Sequence, residues 1–269
     1  MSRFDNQIIV ITGGTGAIGS SFVKAFVKER AKVVVLGRGK TVPIEKAIDT
    51  IKSEIVEDLH PLLWGIACDV SDEKDVASML QTVEKKWGTP DILINAAGGN
   101  KGKSNFIDVD IETFKEVLEM NLLGGLVVPS KLISKLWIDK KMEGTIINVA
   151  SVASYLPLTG VWAYDASKAG VMNLTAGLAN ELAQYKIRVN GICPGFYIGH
   201  QNRDLLYSDY SKGELSQRGK DVIAHTPFGR FGQVEELNGT LLYLADKSQS
   251  GFVTGVTIPV DGGYLINNI

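Results

Sequence analysis

Three side chains in the second half of the sequence have the types and spacing for proton transfer to an oxygen. Tyr164 and Lys168 stand four residues apart in a stretch with helical periodicity, which places phenol and ammonium on one helix face. A free tyrosine titrates near pH ~10 and is a poor acid–base group at neutrality. An ammonium beside it favours the phenolate and brings it into range. Ser151, thirteen residues upstream at the end of an apolar run, adds a hydroxyl that can hydrogen-bond a substrate oxygen and stabilise developing charge.

A second constellation lies at the other end of the chain. The run Thr12-Gly13-Gly14-Thr15-Gly16-Ala17-Ile18-Gly19 joins a β-branched segment to a helical pattern. A glycine-rich strand-to-helix turn lets backbone approach a pyrophosphate, and the helix start offers unpaired N–H groups and a partial positive charge.

The elements that must position these groups alternate along the whole chain. Candidate strands, rich in Ile and Val, occupy 7–12, 32–36, 62–68, 92–95, 145–150, 188–192 and 256–259. Their near-continuous apolar character suits parallel strands covered on both faces. Helical patterns lie between them at 18–28, 44–56, 73–87, 111–136, 161–184 and 234–246. Right-handed crossovers turn this order into a doubly wound α/β fold of the Rossmann type, with a seven-stranded, mostly parallel sheet. No repeat, low-complexity tract or linker divides residues 1–269, so one domain is expected. Residues 195–229 interrupt the alternation with a long polar and aromatic excursion, the natural substrate lid.

Composition narrows the class further. With 45% hydrophobic and 22% charged residues and a formal net charge of −2, the chain is an ordinary globular protein without the basic footprint of a nucleic-acid binder. No apolar run at the N-terminus suits a signal peptide or a membrane span, and a cytoplasmic location is expected. Cys68 and Cys193 are far apart, and the three histidines show no metal-ligand spacing, so neither a disulfide framework nor a metal is indicated.

Taken in order, these motifs resemble the short-chain dehydrogenase/reductase family. Tyr164-Asp165-Ala166-Ser167-Lys168 matches its YxxxK element, and the glycine turn matches TGxxxGxG at Gly13 and Gly19. Ala17 stands where the middle glycine normally lies, and Gly16 sits one residue early. Asn95-Ala96-Ala97-Gly98 matches the NAAG signature, and Asp69-Val70 the pair that contacts adenine, although Asp69 could equally cap a helix. Pro194-Gly195-Phe196-Tyr197-Ile198-Gly199 is similar to the turn that backs the nicotinamide, with Gly199 replacing a frequent threonine.

The resemblance implies an NAD(P)-dependent oxidoreductase interconverting an alcohol and a carbonyl. Asn121, Ser151, Tyr164 and Lys168 would be catalytic, with Lys168 also on the nicotinamide ribose and Asn121 anchoring a water. A helix-interior asparagine also leads us to expect a local distortion there. Gly13, Thr15, Gly16, Ile18, Gly19, Arg38, Asp69, Val70, Asn95, Ala96, Gly98, Pro194, Gly195 and Ile198 would meet the cofactor. At the end of the second strand, where an acidic residue would bind the adenosine ribose, Gly37 is followed by Arg38. That pair favours NADP over NAD, with NAD use as the alternative.

Gly98-Gly99-Asn100 and the segments around 201–203 and 225–232 look like sugar-acid members of the D-mannonate oxidoreductase (fructuronate reductase) type. Asn100, Lys101, Ser151, Gln201, Asn202, Arg203 and His225 would then bind the substrate, since a hexuronate needs a cationic grip and several hydrogen-bond partners. Alternatives are a gluconate 5-dehydrogenase-like enzyme, a 3-oxoacyl reductase, or a non-catalytic dinucleotide-binding regulator. Val253-Thr254-Gly255 and Val260-Asp261-Gly262-Gly263 match the family's closing strand, and the resemblance implies a homotetramer, with a dimer as the smaller assembly, and a small-molecule substrate without nucleic-acid or membrane partners.

Overall fold

The computed structural model describes residues 2–40, 42–199 and 203–267. Strands β1 (Ile8–Thr12), β2 (Lys32–Gly37), β3 (Leu63–Ala67), β4 (Ile92–Asn95), β5 (Gly144–Val149), β6 (Ile187–Pro194) and β9 (Thr257–Val260) form one sheet in the order β3-β2-β1-β4-β5-β6-β9. Every pairing in it is parallel. The expected seven-stranded doubly wound sheet is therefore present, and it is wholly parallel.

Strand alternation explains the two layers. Ile9, Ile11, Val33 and Val35 join one apolar cluster with Phe22 and Phe26 of α1 (Ala17–Lys28) and Leu241 of α9 (Asn238–Ala245). Ile8, Val10, Val34 and Leu36 face the other way. They pack with Met79 of α3 (Glu73–Lys86), Trp137 of α5 (Val128–Asp139) and Ala179 of α6 (Trp162–Leu182). A period of two on strands buried on both faces yields two cores separated by one sheet. The run Ile111–Asp139 is long and apolar enough to span a membrane, but over half of its most apolar window is buried inside this fold.

Three sequence expectations change in detail. The helix expected over 111–136 is α4 (Ile111–Leu118) followed by a π-helical segment, Glu119–Val127, before α5. The helix expected to 56 stops as α2 (Ile44–Lys52), and the pattern over 234–246 opens with a 3-10 turn at Val234–Leu237. The excursion at 195–229 carries structure of its own: α7 (Arg203–Leu206), a hairpin of β7 (Tyr207–Asp209) and β8 (Glu214–Leu215), and α8 (Gln217–His225). Gln201 and Asn202 lie outside the described residues.

The chain reverses its direction of winding between β1 and β4, which lie side by side with Thr12 opposite Asn95. A crevice forms at such a switch point beyond the carboxyl ends of the strands. Thr12, Asn95, Ser151 and Pro194 all lie at or just past those ends.

Candidate active site

Ser151 follows β5 by two residues and opens a 3-10 turn, Val152–Ser154, its Oγ accepting the Ala153 N–H at 3.2 Å. Tyr164 is in the first turn of α6 and half-buried, with its hydroxyl in hydrogen-bonding reach of the Ser151 side chain. Lys168, one turn further, is buried. Its Nζ donates to the Val149 carbonyl at 2.7 Å and stands 5.8 Å from the centre of the Tyr164 ring. Three hydroxyl or ammonium groups thus meet where β5 and α6 converge. A hydroxyl donor, a phenol and an ammonium together can hold a carbonyl oxygen and deliver a proton to it.

Burial sets the titration of both groups. Burial pushes the Tyr164 phenol above its usual range, with the Ser151 hydrogen bond opposing the shift. Burial also pulls the Lys168 ammonium down to about 8. Lys168 does not dominate the titration of the phenol here, because desolvation disfavours the charged form of both groups and the ammonium is bonded to a carbonyl on its other side.

Asn121 lies in the π-helical segment, so the expected distortion is present. Its side chain is used up structurally: Oδ1 accepts the Gly99 N–H at 2.8 Å, while Nδ2 donates to the Gly99 carbonyl at 2.9 Å and to Ser167 Oγ at 2.8 Å. Ser167 in turn donates to the Tyr164 carbonyl at 2.7 Å. Asn121 therefore ties the loop after β4 to the catalytic turn of α6. A Cβ on Gly98 would fall 2.8 Å from Asn121 Oδ1 and 3.6 Å from Lys168 Nζ, which explains the glycine and locates the ammonium beside that loop.

The glycine turn is equally constrained. Gly13 has φ +61°, and a Cβ there would lie 2.7 Å from the Ala97 Cα. A Cβ on Gly19 would fall 2.3 Å from the Gly13 carbonyl oxygen. Thr12 Oγ1 accepts the N–H groups of Ala96 and Ala97 at 3.1 and 3.0 Å, joining the turn to the loop after β4. Gly16 caps α1 without a side-chain bond, which leaves the first N–H groups of the helix facing outward. Ile18 packs on the apolar core, and Thr15 is exposed beside Gly37.

The two departures from the family pattern face each other. A Cβ on Gly199 would approach the Ala17 Cβ to 3.1 Å, so the methyl gained at 17 fills space released at 199. We expect Gly199→Thr to weaken dinucleotide binding roughly tenfold through such overpacking. Adding Ala17→Gly should restore most of it. Dinucleotide fluorescence titration checks this, and additive losses in the double variant would refute the coupling.

Arg38 is exposed and lines a cleft of about 700 Å³ with Lys40, Cys68, Asp69 and Ser71. Asp69 is no helix cap, since Asp72 caps α3. Its carboxyl binds Ser71 and lies 3.6 Å from Lys40, and these contacts hold it below the usual carboxylate range. Val70 is partly buried against the second core. Asn95 does not reach the cleft: its side chain is buried and donates to Ser130 and Asn148, both at 2.9 Å. As the last residue of β4 it points into the core, and the following alanines meet the turn instead. Pro194 ends β6 opposite Val260, Gly195 N–H donates to the Val260 carbonyl at 3.0 Å, and Ile198 is half-buried just beyond.

The substrate candidates divide. Asn100 donates to the Gly102 carbonyl, and Lys101 pairs with Glu116 at 2.7 Å with both side chains 56% exposed. Both are occupied at the surface. Arg203 opens α7 with its guanidinium 4.8 Å from the Tyr210 ring centre. His225 ends α8, its ring 4.6 Å from that of Tyr264, which is itself 5.1 Å from Phe196. Sequence reasoning missed Ser167, Tyr264 and Arg218. Ser167 was visible inside the YxxxK element, whereas Tyr264 is brought in only by the C-terminal return of the chain, where Asn267 donates to the His225 carbonyl at 2.8 Å.

Residues 7–204 match the short chain dehydrogenase family model. The chain is 36% identical to an uncharacterized oxidoreductase, UxuB, of Bacillus subtilis, over 95% of this chain and 94% of that protein. It is 31% identical to 2-dehydro-3-deoxy-D-gluconate 5-dehydrogenase of Formosa agariphila, over 96% and 92%. The crystal structure of a candidate D-mannonate oxidoreductase from Haemophilus influenza with bound NAD superposes with a TM-score of 0.87 at 32% identity, covering 98% of this chain and 96% of that one.

Proposed function

The chain belongs to the short-chain dehydrogenase family, and from that premise we propose that it interconverts a secondary alcohol and a ketone on a sugar acid with NADP(H). The observation that carries the reading is the convergence of Ser151, Tyr164 and Lys168 beside the turn at Gly13 to Gly19. That turn fits a dinucleotide. Side chains are missing where they would strike backbone, and the start of α1 faces the same crevice. Gly13, Gly16 and Gly19 would hold the diphosphate, the cleft at Arg38 and Asp69 the adenosine, and Pro194 to Ile198 the far end.

When bound, the dinucleotide supplies or accepts a hydride. The protein's own residues handle the oxygen and the proton. Ser151 hydrogen-bonds the substrate oxygen as negative charge develops on it. Tyr164 donates its hydroxyl proton to that oxygen in reduction and takes it back in oxidation. Lys168 stabilises the phenolate left behind, and Asn121 holds the loop and helix in register. Sugar-acid substrates are supported by the two relatives whose names carry such substrates and by His225 on the excursion after β6.

For the cofactor, Gly37 removes the carboxylate that would repel a 2′-phosphate, and a side chain there would press on Thr15 at 3.1 Å. Arg38 and Lys40 supply positive charge instead. Initial rates followed at 340 nm with D-fructuronate, 5-keto-D-gluconate and an acetoacetyl thioester test the whole reading. We expect NADPH to outperform NADH by roughly 10- to 100-fold in kcat/KM, the value of a charge-assisted hydrogen bond. Arg38→Ala should erase that preference. Turnover of the thioester but of neither sugar acid would refute the substrate, and faster rates with NADH would refute the role of Arg38.

A further inference from the structure

The inward face of α8 carries Arg218, Val222 and His225 at positions i, i+4 and i+7, which stack along one side of a helix. Val222 is buried and His225 packs on Tyr264, so this face looks into the molecule toward the wall that Phe196 and Tyr264 build beyond β6. Arg218 is half-buried, and its Nε is fully enclosed without a hydrogen-bond partner. Among the described residues its terminal nitrogens make neither a hydrogen bond nor an ion pair, and they are not enclosed polar atoms. A partly buried guanidinium without an acceptor is unusual, because desolvating it is offset only when its donors are matched.

Two groups fix where it lies. Its charge acts on Asp165, the residue after Tyr164, and on the Tyr264 hydroxyl. Asp165 is 8% exposed. One of its oxygens accepts the Leu158 N–H at 3.2 Å, and the other is enclosed and unpartnered. Burial pushes this carboxyl above its usual range, which weakens its repulsion of an incoming anion. The guanidinium, on the inward face of the lid helix, is therefore near enough to the catalytic turn of α6 for its charge to act there, and its outer fork is unmatched among the described residues. The other cations proposed for the substrate are already engaged, Lys101 by Glu116 and Arg203 against Tyr210.

The geometry points to Arg218, flanked by His225, as the receptor for the carboxylate of the substrate and hence as the residue that selects acidic over neutral polyols. This assignment rests on the sugar-acid reading above. A planar fork matches a carboxylate in a two-point hydrogen bond, which a lysine cannot reproduce.

Binding can be read without turnover by titrating D-mannonate and the neutral polyol D-mannitol calorimetrically into the full chain loaded with NADP. The wild type should prefer the acid, and Arg218→Gln should weaken mannonate by at least ~30-fold while leaving mannitol and NADP affinities within about twofold. Arg218→Lys should recover only part of the loss. Undiminished mannonate binding in Arg218→Gln, with wild-type preference for the acid intact, overturns the role of Arg218 alone. No preference in the wild type overturns both this role and the sugar-acid reading. No hydrogen bond of the fold is lost in Arg218→Gln, so the NADP titration also reports whether the variant is folded.

Discussion

Tyr164→Phe should reduce kcat by roughly 10³-fold, within the range that a positioned general acid contributes, while leaving dinucleotide affinity and thermal stability nearly unchanged. The substitution removes one oxygen from a half-buried ring and keeps its shape. Its fold-level contacts are made through the backbone: the Tyr164 carbonyl still accepts from Ser167, and Ser167 still meets Asn121. Only the group facing Ser151 disappears. Because burial holds the phenol above its usual range, reduction at neutral pH starts from the protonated form and needs no prior protonation. Alcohol oxidation needs the phenolate, so its rate should climb toward alkaline pH in the wild type and lose that dependence in the variant. Stopped-flow single turnovers in both directions would measure this. A variant with near-full turnover would remove Tyr164 from the mechanism.

How much of this is legible in the sequence depends on the range of the interactions involved. The sheet was readable because each parallel strand is a short Ile/Val run buried on both faces, a local property. Tyr164 and Lys168 were readable because four residues on a helix fix their relation. Asn95 was placed at the right strand end but with the wrong neighbours. Which face the last strand residue presents is decided by its partners Ser130 and Asn148 on other elements.

The titration of the catalytic pair is not legible in the sequence for a similar reason. Spacing shows that an ammonium stands near a phenol, whereas burial depends on everything packed around them. Arg218 escaped notice because the excursion after β6 has no periodicity until α8 is seen to fold back, and its significance lies in partners it lacks. The exchange at Ala17 and Gly199 was visible as two separate departures. Only their contact across 182 residues of chain makes them one compensated change.

The site's dependence on a buried ammonium sets stability against function. Lys168→Met should lower kcat by at least ~10²-fold, since the group that stabilises the phenolate is gone. The same change should raise thermal stability at pH 7. Burial pulls the Lys168 pKa from the ordinary lysine value to about 8, so below that pH the folded protein carries a charge that water would solvate better in the unfolded chain. Between about 8 and the unfolded value near ~10.4 the unfolded chain binds more protons than the native one, and the wild type gains stability as pH rises. The penalty relieved by methionine at pH 7 is about 3 kcal/mol at most. The lost hydrogen bond to the Val149 carbonyl offsets about 1 kcal/mol of that. A net gain on the order of 1–2 kcal/mol corresponds to a few degrees in Tm for a domain of this size. The difference between variant and wild type should then shrink as melting is repeated from pH 7 to pH 10. A variant less stable than the wild type at pH 7, or an advantage that grows with pH, would mean that Lys168 is held as part of the fold rather than against it.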